Sequence, residues 1–243
     1  MGYTAEVITL AIDTSEKRGS VAVRSGGRLA AVRRHASDED YSSWLLPAVS
    51  ECLDDAGIRM TAVGLLAVST GPGSFTGVRV GLTTVKAWAE VYGKRIVGVS
   101  RLESMAGAGE QSGLVAASYD AQRGQIFGGL YRWVEGTAKA VESEMVTAPG
   151  AFVAFVEEQA EAEPVQWVAL DPQLITSTAD WRVRERRGDL LIPCPLDVAS
   201  FIGELAEERA RRGEFTDALE LDANYVRRSD AEILWKGPAS GVR

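Results

Sequence analysis

The 243-residue sequence contains one histidine and two cysteines, which leaves few ways to build a transition-metal site. Sites of the His-x-x-x-His type need two imidazoles one helical turn apart, and His35 stands alone in a charged stretch. Cys52 and Cys194 lack metal-ligand spacing, so we expect both to be reduced thiols of the core. The residue inventory therefore predicts no catalytic metal centre and argues against a serine-histidine triad.

Long apolar runs and an excess of positive charge are also missing. No stretch reaches the roughly 20 apolar residues that span a bilayer, and the first residues lack the basic start of a secretory signal. We therefore expect a cytoplasmic protein. The net charge of −8 argues against a stand-alone nucleic-acid binder. Two short basic stretches, residues 182–187 and 209–212, are expected to be solvated faces, so contact with RNA would come through a partner.

Periodic patterns predict two successive sets of elements with a similar order. The first set comprises strands at residues 7–12, 19–24, 28–34, 65–69 and 95–99 and helices at 41–56 and 76–92. The second set comprises strands at residues 114–118, 124–133, 165–170 and 190–192 and helices at 151–159 and 198–212. The strand-turn-helix-strand unit at 65–99 requires a partly parallel sheet. The repeated order predicts an α/β protein of two lobes that divide near residue 105.

A glycine-rich turn follows the strand at residues 65–69. Gly71 and Gly73 permit unusual backbone angles, and Ser74 or Thr76 can cap the helix that follows. Amides at a helix N-terminus attract anions. However, the turn lacks the lysine of a P-loop and the glycine spacing of a dinucleotide fingerprint. Both a phosphate cradle and a purely architectural turn remain open.

Asp13 ends the first strand and is followed by Thr14 and Ser15. A carboxylate in this position can hold a hydrated magnesium ion near the phosphates of a nucleotide. It can equally accept hydrogen bonds from its own turn. The residues alone leave these two alternatives open.

One face of the helix at residues 76–92 carries two glycines four residues apart, Gly77 and Gly81. Thr84, Val85 and Trp88 continue the same face. Missing side chains let another backbone come close. The neighbour can be a partner chain or the sheet of the protein itself.

The stretch TGPGSFTGVRVGLTTVKAWAEVYGKRIVGVSRLESMA resembles the GxGPGSFTGxRxGxxxAKGLA…VGVSSLE block of the bacterial TsaB (YeaZ) family. The likeness extends to LAIDTS, YSSWLLPAVSECLDDAGI, SYDAQRGQIFGGLY and YVRRSDAE, which together span nearly the whole chain. One departure is that Tyr41, Ser42 and Ser43 stand where the family has a His-Ser-Glu-like start to the helix.

The resemblance implies the two-lobed actin-like ATPase fold of sugar kinases and Hsp70, with duplicated lobes. Residues 1–104 would form the first lobe and residues 105–243 the second, with a C-terminal segment that can return to the first. The family assists formation of N6-threonylcarbamoyladenosine at tRNA position 37. It is the non-catalytic paralogue of TsaD, the transferase that binds metal through a histidine pair. Because this chain has a single histidine, the resemblance implies no catalytic residues and no metal.

The resemblance also implies cofactors and partners. No cofactor is required, and vestigial phosphate turns leave room for weak ATP or ADP binding at Asp13, Thr14, Gly71, Gly73, Ser74 and Thr76. The expected partners are a TsaD-type transferase and a TsaE-type ATPase, with tRNA reached through the assembly and no membrane contact.

The two first-lobe helices are expected to pair with those of the transferase, or with a second copy of the chain when the transferase is absent. The expected interface residues are Trp44, Leu45, Gly77, Gly81, Thr84, Val85 and Trp88. The main alternative is a stand-alone ATP-dependent kinase of the same fold, for which Asp13 and Asp120 are the obvious acidic residues. A glycoprotease is the third alternative, and the chain lacks the nucleophile-base pair or metal ligands that this activity needs.

Overall fold

Two mixed sheets form the framework of the computed structural model, which describes residues 7–36, 39–134 and 136–227. The first sheet has the order β3-β2-β1-β4-β5. Its strands are β1 (Ile8–Asp13), β2 (Ser20–Ser25), β3 (Arg28–Arg34), β4 (Leu65–Ser69) and β5 (Arg95–Val99). The turn at residues 25–27 joins β2 to β3, as the hairpin signal predicts.

The second sheet has the order β11-β10-β6-β7-β8, and β9 pairs with β7. Its strands are β6 (Gly113–Gln122), β7 (Gln125–Val134), β8 (Thr137–Ala140), β9 (Met145–Thr147), β10 (Val165–Ala169) and β11 (Leu190–Pro193). In each sheet the first strand pairs antiparallel with the next strand along the chain and parallel with the strand after the intervening helix. The same topology therefore occurs twice, which confirms the predicted duplicated lobes.

Seven α-helices connect the strands of the described chain. They are α1 (Tyr41–Asp55), α2 (Phe75–Tyr92), α3 (Arg101–Ala106), α4 (Pro149–Ala160), α5 (Pro172–Thr176), α6 (Trp181–Arg186) and α7 (Val198–Arg211), with a 3-10 turn at Met60–Ala62. The four predicted helices are confirmed to within a few residues, and α1 begins at Tyr41 with Pro47 inside it. The short helices were not predicted because five or six residues are too few to display a period. Within the described residues, none of these helices has the length and apolar character that crossing a membrane requires.

Two helices cross between the lobes. α7 follows the second sheet but packs on β1, β2, β4 and β5 of the first, while α3 follows the first sheet and packs on β6 and β7 of the second. A single core cluster accordingly contains Val97 of the first sheet, Val115 of the second, Met105 of α3 and Ile202 of α7. The expected division between residues 104 and 105 falls inside α3, and the division at that point stays a prediction.

After α7 the chain runs back across the first lobe, and residues 212–227 are called the strap here. Thr216 pairs with Ile96 of β5, and the amide of Asn224 donates to the carbonyl oxygen of Thr70 at 2.7 Å. The motif YVRRSDAE begins in the strap and continues beyond residue 227, outside the described residues.

Candidate functional site

The turn after β1, residues 13–15, is held by hydrogen bonds between its own residues. Both the amide and the hydroxyl of Ser15 donate to Oδ1 of Asp13, at 3.0 and 2.5 Å. This is the turn-capping arrangement that short acidic side chains favour. Asp13, Thr14 and Ser15 are almost completely buried. The carboxylate therefore faces the protein interior.

The glycine-rich turn closes directly onto the Asp13 turn. The amide of Ser74 donates to the carbonyl oxygen of Ser15 at 2.7 Å, and the Thr14 hydroxyl donates to the carbonyl oxygen of Gly77 at 2.7 Å. A Cβ at Gly73 would lie 1.9 Å from the Ser15 carbonyl oxygen, and one at Gly77 would lie 2.1 Å from that of Thr14. Glycine is needed at both positions because the two backbones touch.

Several amides that could bind a phosphate are already used by the chain. The hydroxyl of Ser74 caps α2 by accepting from the amide of Gly77 at 3.3 Å, and the amide of Gly71 donates to the hydroxyl of Ser69 at 3.3 Å. Of the residues proposed for the phosphate turns, Ser74 and Thr76 are exposed, and Ser74 is itself part of the closed turn. This geometry favours the architectural alternative for the glycine-rich turn.

Arg101, the first residue of α3, is the main feature that sequence reasoning missed. Its Nη1 lies 3.2 Å from Oδ2 of Asp13 and 3.3 Å from the Ser15 hydroxyl, and its side chain is 0% exposed. Its Cζ lies 4.8 Å from the centre of the Tyr119 ring. Burial alone would lower the pKa of the guanidinium, but the nearby charge of Asp13 raises it above its ordinary value. A permanent positive charge therefore fills the place beside Asp13.

A second arginine, Arg18, connects the two lobes across the gap between them, which is called the cleft here. Nη1 and Nη2 of Arg18 each lie 2.9 Å from one oxygen of the Asp171 carboxylate, which also accepts from the amide of Asp120. Burial opposes ionisation of Asp171, but the hydrogen bonds from Arg18 and Asp120 lower the pKa of its carboxyl. The hydroxyl of Tyr119 donates to the carbonyl oxygen of Pro72. A cavity between the lobes, lined in part by Ser15, Gly73 and Tyr119, has a volume of about 290 Å³, just below the range for ligand sites. A second cavity of about 450 Å³ lies on the first lobe along Lys17, Ser74 and Thr76.

The described part of the chain offers no obvious metal ligands. Within it, no group of three or more His, Cys, Asp or Glu side chains is arranged to hold an ion. Cys52 and Cys194 are buried free thiols, and burial raises their pKa values to about 11 and about 12.

The strap is fixed to the lobes through Glu144. This carboxylate accepts from the hydroxyls of Ser100 and Tyr131 and, at 2.5 Å, from the side-chain amide of Asn224. Burial raises the pKa of Glu144, and the three hydrogen bonds oppose the shift without reversing it. Glu144 therefore connects both sheets to the strap at a partly buried point.

Stability should depend on pH through Glu144. Because its pKa is raised in the folded state, its contribution to stability is complete below the ordinary value of 4.5 and is lost as the pH rises through the raised value. We expect the wild type to lose stability relative to Glu144→Gln as the pH rises above 4.5, as measured by urea unfolding. Glu142→Gln, at an exposed neighbouring position, is the control. Parallel pH profiles for the two variants would contradict this expectation.

The expected interface needs a correction. Leu45 is 2% exposed and Val85 is 0% exposed, and a Cβ at Gly81 would lie 2.5 Å from the Thr14 hydroxyl. Together with Gly77, these residues face the protein's own core, so the prediction that the glycine face is open to a partner is wrong. The glycines bring α2 close to the first strand. Trp44, Thr84 and Trp88, the other expected interface residues, keep partial exposure.

The outward faces of α1 and α2 each carry an uncharged stripe. The stripes comprise Ser43, Leu46, Pro47 and Ser50 of α1 and Thr76, Val80, Thr83, Thr84, Ala87 and Val91 of α2. Leu46 is 58% exposed and Val91 is 72% exposed. These residues, called the outer stripes, leave apolar side chains in solvent on adjacent helices. Such exposed apolar surface is typical of a contact face.

Comparison with known proteins agrees with this description. Residues 32–175 match the family model described as "TsaD: tRNA N6-adenosine threonylcarbamoyltransferase". The "tRNA threonylcarbamoyladenosine biosynthesis protein TsaB" of Escherichia coli (strain K12) is 33% identical over 165 residues, which cover 66% of this chain and 69% of that protein. The chain belongs to the TsaB family. The TsaB of Bacillus subtilis (strain 168) is 28% identical over 236 residues, covering 93% of this chain and 96% of that protein.

Solved structures place the TsaB-family chain in the expected fold class. "YeaZ from Pseudomonas aeruginosa" superimposes with a TM-score of 0.69 at 28% identity and covers 90% of this chain and 99% of that one. The activator of the 2-hydroxyisocaproyl-CoA dehydratase from Clostridium difficile shares the fold alone, with a TM-score of 0.51 at 9% identity over 86% of this chain and 97% of that one. Together with the duplicated topology, these matches confirm the two-lobed actin-like ATPase fold.

Proposed function

We propose that this TsaB-family chain is a non-catalytic subunit in the formation of N6-threonylcarbamoyladenosine at tRNA position 37. In that role it pairs with a TsaD-type transferase and activates it. The names of the TsaB relatives support the pathway. The observation that carries the non-catalytic role is the guanidinium of Arg101 beside Asp13, where an active enzyme of this fold would need an open site.

The kinase alternative is disfavoured by the geometry of both acidic residues. Asp13 is paired with Arg101, and the Asp120 carboxylate is bonded to the amide and side chain of Gln122 at 2.7 and 2.9 Å. The cavity between the lobes, about 290 Å³, is just below the size typical of ligand sites. The chain therefore requires no cofactor and binds ATP or ADP weakly or not at all. Intrinsic ATP turnover that Asp13→Ala abolishes would instead favour the kinase.

The outer stripes are the proposed contact surface for the transferase. The stripes include Thr84, one of the interface residues expected from the sequence. The half-buried Trp44 and Trp88, also expected there, lie on the same two helices as the exposed Leu46 and Val91. Tryptophan is among the residue types that dominate interface energies, and the exposed Leu46 and Val91 add apolar area around the two tryptophans. A TsaE-type ATPase joins the resulting pair, and tRNA is bound through the assembly. Without the transferase, the same stripes pair two copies of the chain, since a self-complementary patch closes as a dimer.

The variant Ala87→Arg tests this proposal. Ala87 is exposed in the α2 stripe, so an arginine there should leave the fold intact and place a charge in the contact. We expect recovery of a TsaD-type partner and stimulation of its tRNA modification to fall by about tenfold or more, the equivalent of about 1.4 kcal/mol.

Ala154→Arg is the matched control, because Ala154 is an exposed alanine of α4, away from both stripes. Circular dichroism establishes that both variants are folded. If partner recovery and modification are the same for both variants, the outer stripes are not the interface. If the wild-type chain leaves the activity of the transferase unchanged, the proposed function itself fails.

A further inference from the structure

Three oxygen-bearing side chains converge on the Arg101 guanidinium. Oδ2 of Asp13 and the hydroxyl of Ser15 lie 3.2 and 3.3 Å from Nη1, and Oε2 of Glu16 lies 3.9 Å from Nη2. Asp13 is 0% exposed and the Glu16 side chain is 16% exposed. Glu16 is also paired with Arg18, whose Nε lies 3.0 Å from the same Oε2. The buried carboxylate of Asp13 depends on the charge of Arg101, because an uncompensated buried charge is strongly unfavourable.

The guanidinium fits this place incompletely. Arginine carries five N–H donors in a fixed plane, yet Nε and Nη2 of Arg101 are buried without a hydrogen-bond partner among the described residues. Oδ2 of Asp13 likewise accepts no hydrogen bond there, and is held by the charge of Arg101. The site therefore neutralises the charge of Arg101 but leaves some of its directional hydrogen-bond donors without an acceptor. A set of oxygen atoms around a non-directional charge is what Mg²⁺ and Ca²⁺ prefer.

We propose that Arg101 is a built-in counter-ion that takes the place of a divalent cation at Asp13. The proposal goes beyond the subunit function, because it concerns what neutralises the Asp13 turn where the two lobes meet. Arg101 comes from α3, the segment between the sheets, and touches the Asp13 turn on one side and the Tyr119 ring of the second lobe on the other. The charge that neutralises the turn is thus covalently attached at the point where the lobes meet.

A covalently attached charge has a thermodynamic consequence. A bound ion stabilises the closed form only at concentrations above its dissociation constant, whereas Arg101 is present in every copy of the chain. The contact between the lobes at the Asp13 turn of the wild type is therefore independent of divalent cations. Removing Arg101 leaves the buried Asp13 carboxylate uncompensated beside the Ser15 hydroxyl, with the Arg18-paired Glu16 at the edge, and a divalent cation can fill this place.

The test uses Arg101→Ser and Mn²⁺, which reports its own binding by electron paramagnetic resonance. We expect the variant to bind one Mn²⁺ per chain. Its Tm should rise by about 5–10 °C at a hundredfold excess of Mn²⁺ or Mg²⁺ over the dissociation constant. The wild type should bind no Mn²⁺ at this site and show no comparable shift.

Two further variants make the result decisive. Arg101→Ser/Asp13→Asn lacks the central carboxylate and should lose the Mn²⁺ signal. If Arg101→Ser is unfolded without metal, recovery of its fold on adding Mn²⁺ supports the proposal. If it stays unfolded, Arg101→Gln decides, since glutamine is uncharged and shorter and leaves room beside Asp13. A folded Arg101 variant that binds no Mn²⁺ and shows no metal-dependent Tm shift overturns the proposal. Because partner recovery is measured on the wild type, that outcome leaves the proposed function untouched.

Discussion

Replacing Gly77 with alanine is expected to destabilise the protein by about 3 kcal/mol, the upper part of the range for overpacking. The new Cβ would lie 2.1 Å from the carbonyl oxygen of Thr14, so α2 or the Asp13 turn must move. Alanine is the better helix former by about 1 kcal/mol, but the clash outweighs this gain because both partners are backbone. Urea unfolding monitored by circular dichroism measures the difference.

Gly150→Ala is the control, since it makes the same substitution within a helix. Apart from its chain neighbours and the nearby backbone of its own helix, no described atom lies within 4 Å of a Cβ built at Gly150 in α4. We therefore expect its stability to stay the same or to rise by up to about 1 kcal/mol. Equal losses in the two variants would show that the contact with Thr14 does not limit the position of α2. By the same reasoning, Gly81→Arg should prevent folding and is unsuitable as a probe of the partner surface.

The second large effect is expected at the buried ion pair of the second lobe. Nε and Nη2 of Arg184 lie 2.8 and 3.0 Å from the Asp189 carboxylate, and both side chains are 0% exposed. The same carboxylate accepts from the indole of Trp167 at 2.6 Å and from the amide of Val165 at 3.0 Å. Asp189→Ala leaves a buried guanidinium without its partner, so we expect a loss of about 3–5 kcal/mol in the free energy of unfolding.

Two comparisons separate this effect from a general loss of packing. Glu163→Ala removes the partner of Arg132 in an ion pair of 2.9 Å whose side chains are 44% and 37% exposed, and should cost less than about 1 kcal/mol. Arg184→Met/Asp189→Ala removes both charges and should be more stable than Asp189→Ala alone. If the double variant is no better than the single one, the stranded charge is not the cause.

Nine of the strands and the four long helices were predictable from the sequence, because strands show apolar alternation or short apolar runs and the long helices show apolar residues every three or four positions. The short strands β8 and β9 and the short helices were not predicted. Periodicity shows which residues share a face of a helix, but it does not show which part of the structure packs against that face. The spacing of Gly77 and Gly81 shows that they share a face, but the same spacing suits a partner helix and the protein's own strand. In the structure the neighbour is the Asp13 turn.

The arginines show the same limit for charges. The stretch at residues 182–187 was predicted to be a solvated face, yet Arg184 is fully buried because Asp189 lies within reach after α6 ends. Arg101 contacts a turn 86 residues earlier in the chain, and α3, which carries it, is too short to leave a periodic signal. Pairing across such distances depends on the assembled sheets. Sequence reasoning therefore found the two turns of the candidate site but not the charge between them.

Because α3 packs on the second sheet and α7 packs on the first, each lobe supplies a helix that covers the sheet of the other. Without α7, the first sheet would expose the face formed by β1, β2, β4 and β5, and without α3 the second sheet would lose its cover over β6 and β7. After a backbone cut between the lobes, each fragment on its own would have an open core. The lobes are repeated in topology, yet each sheet is covered by a helix that follows the other, so we expect the two lobes to unfold together as one cooperative unit.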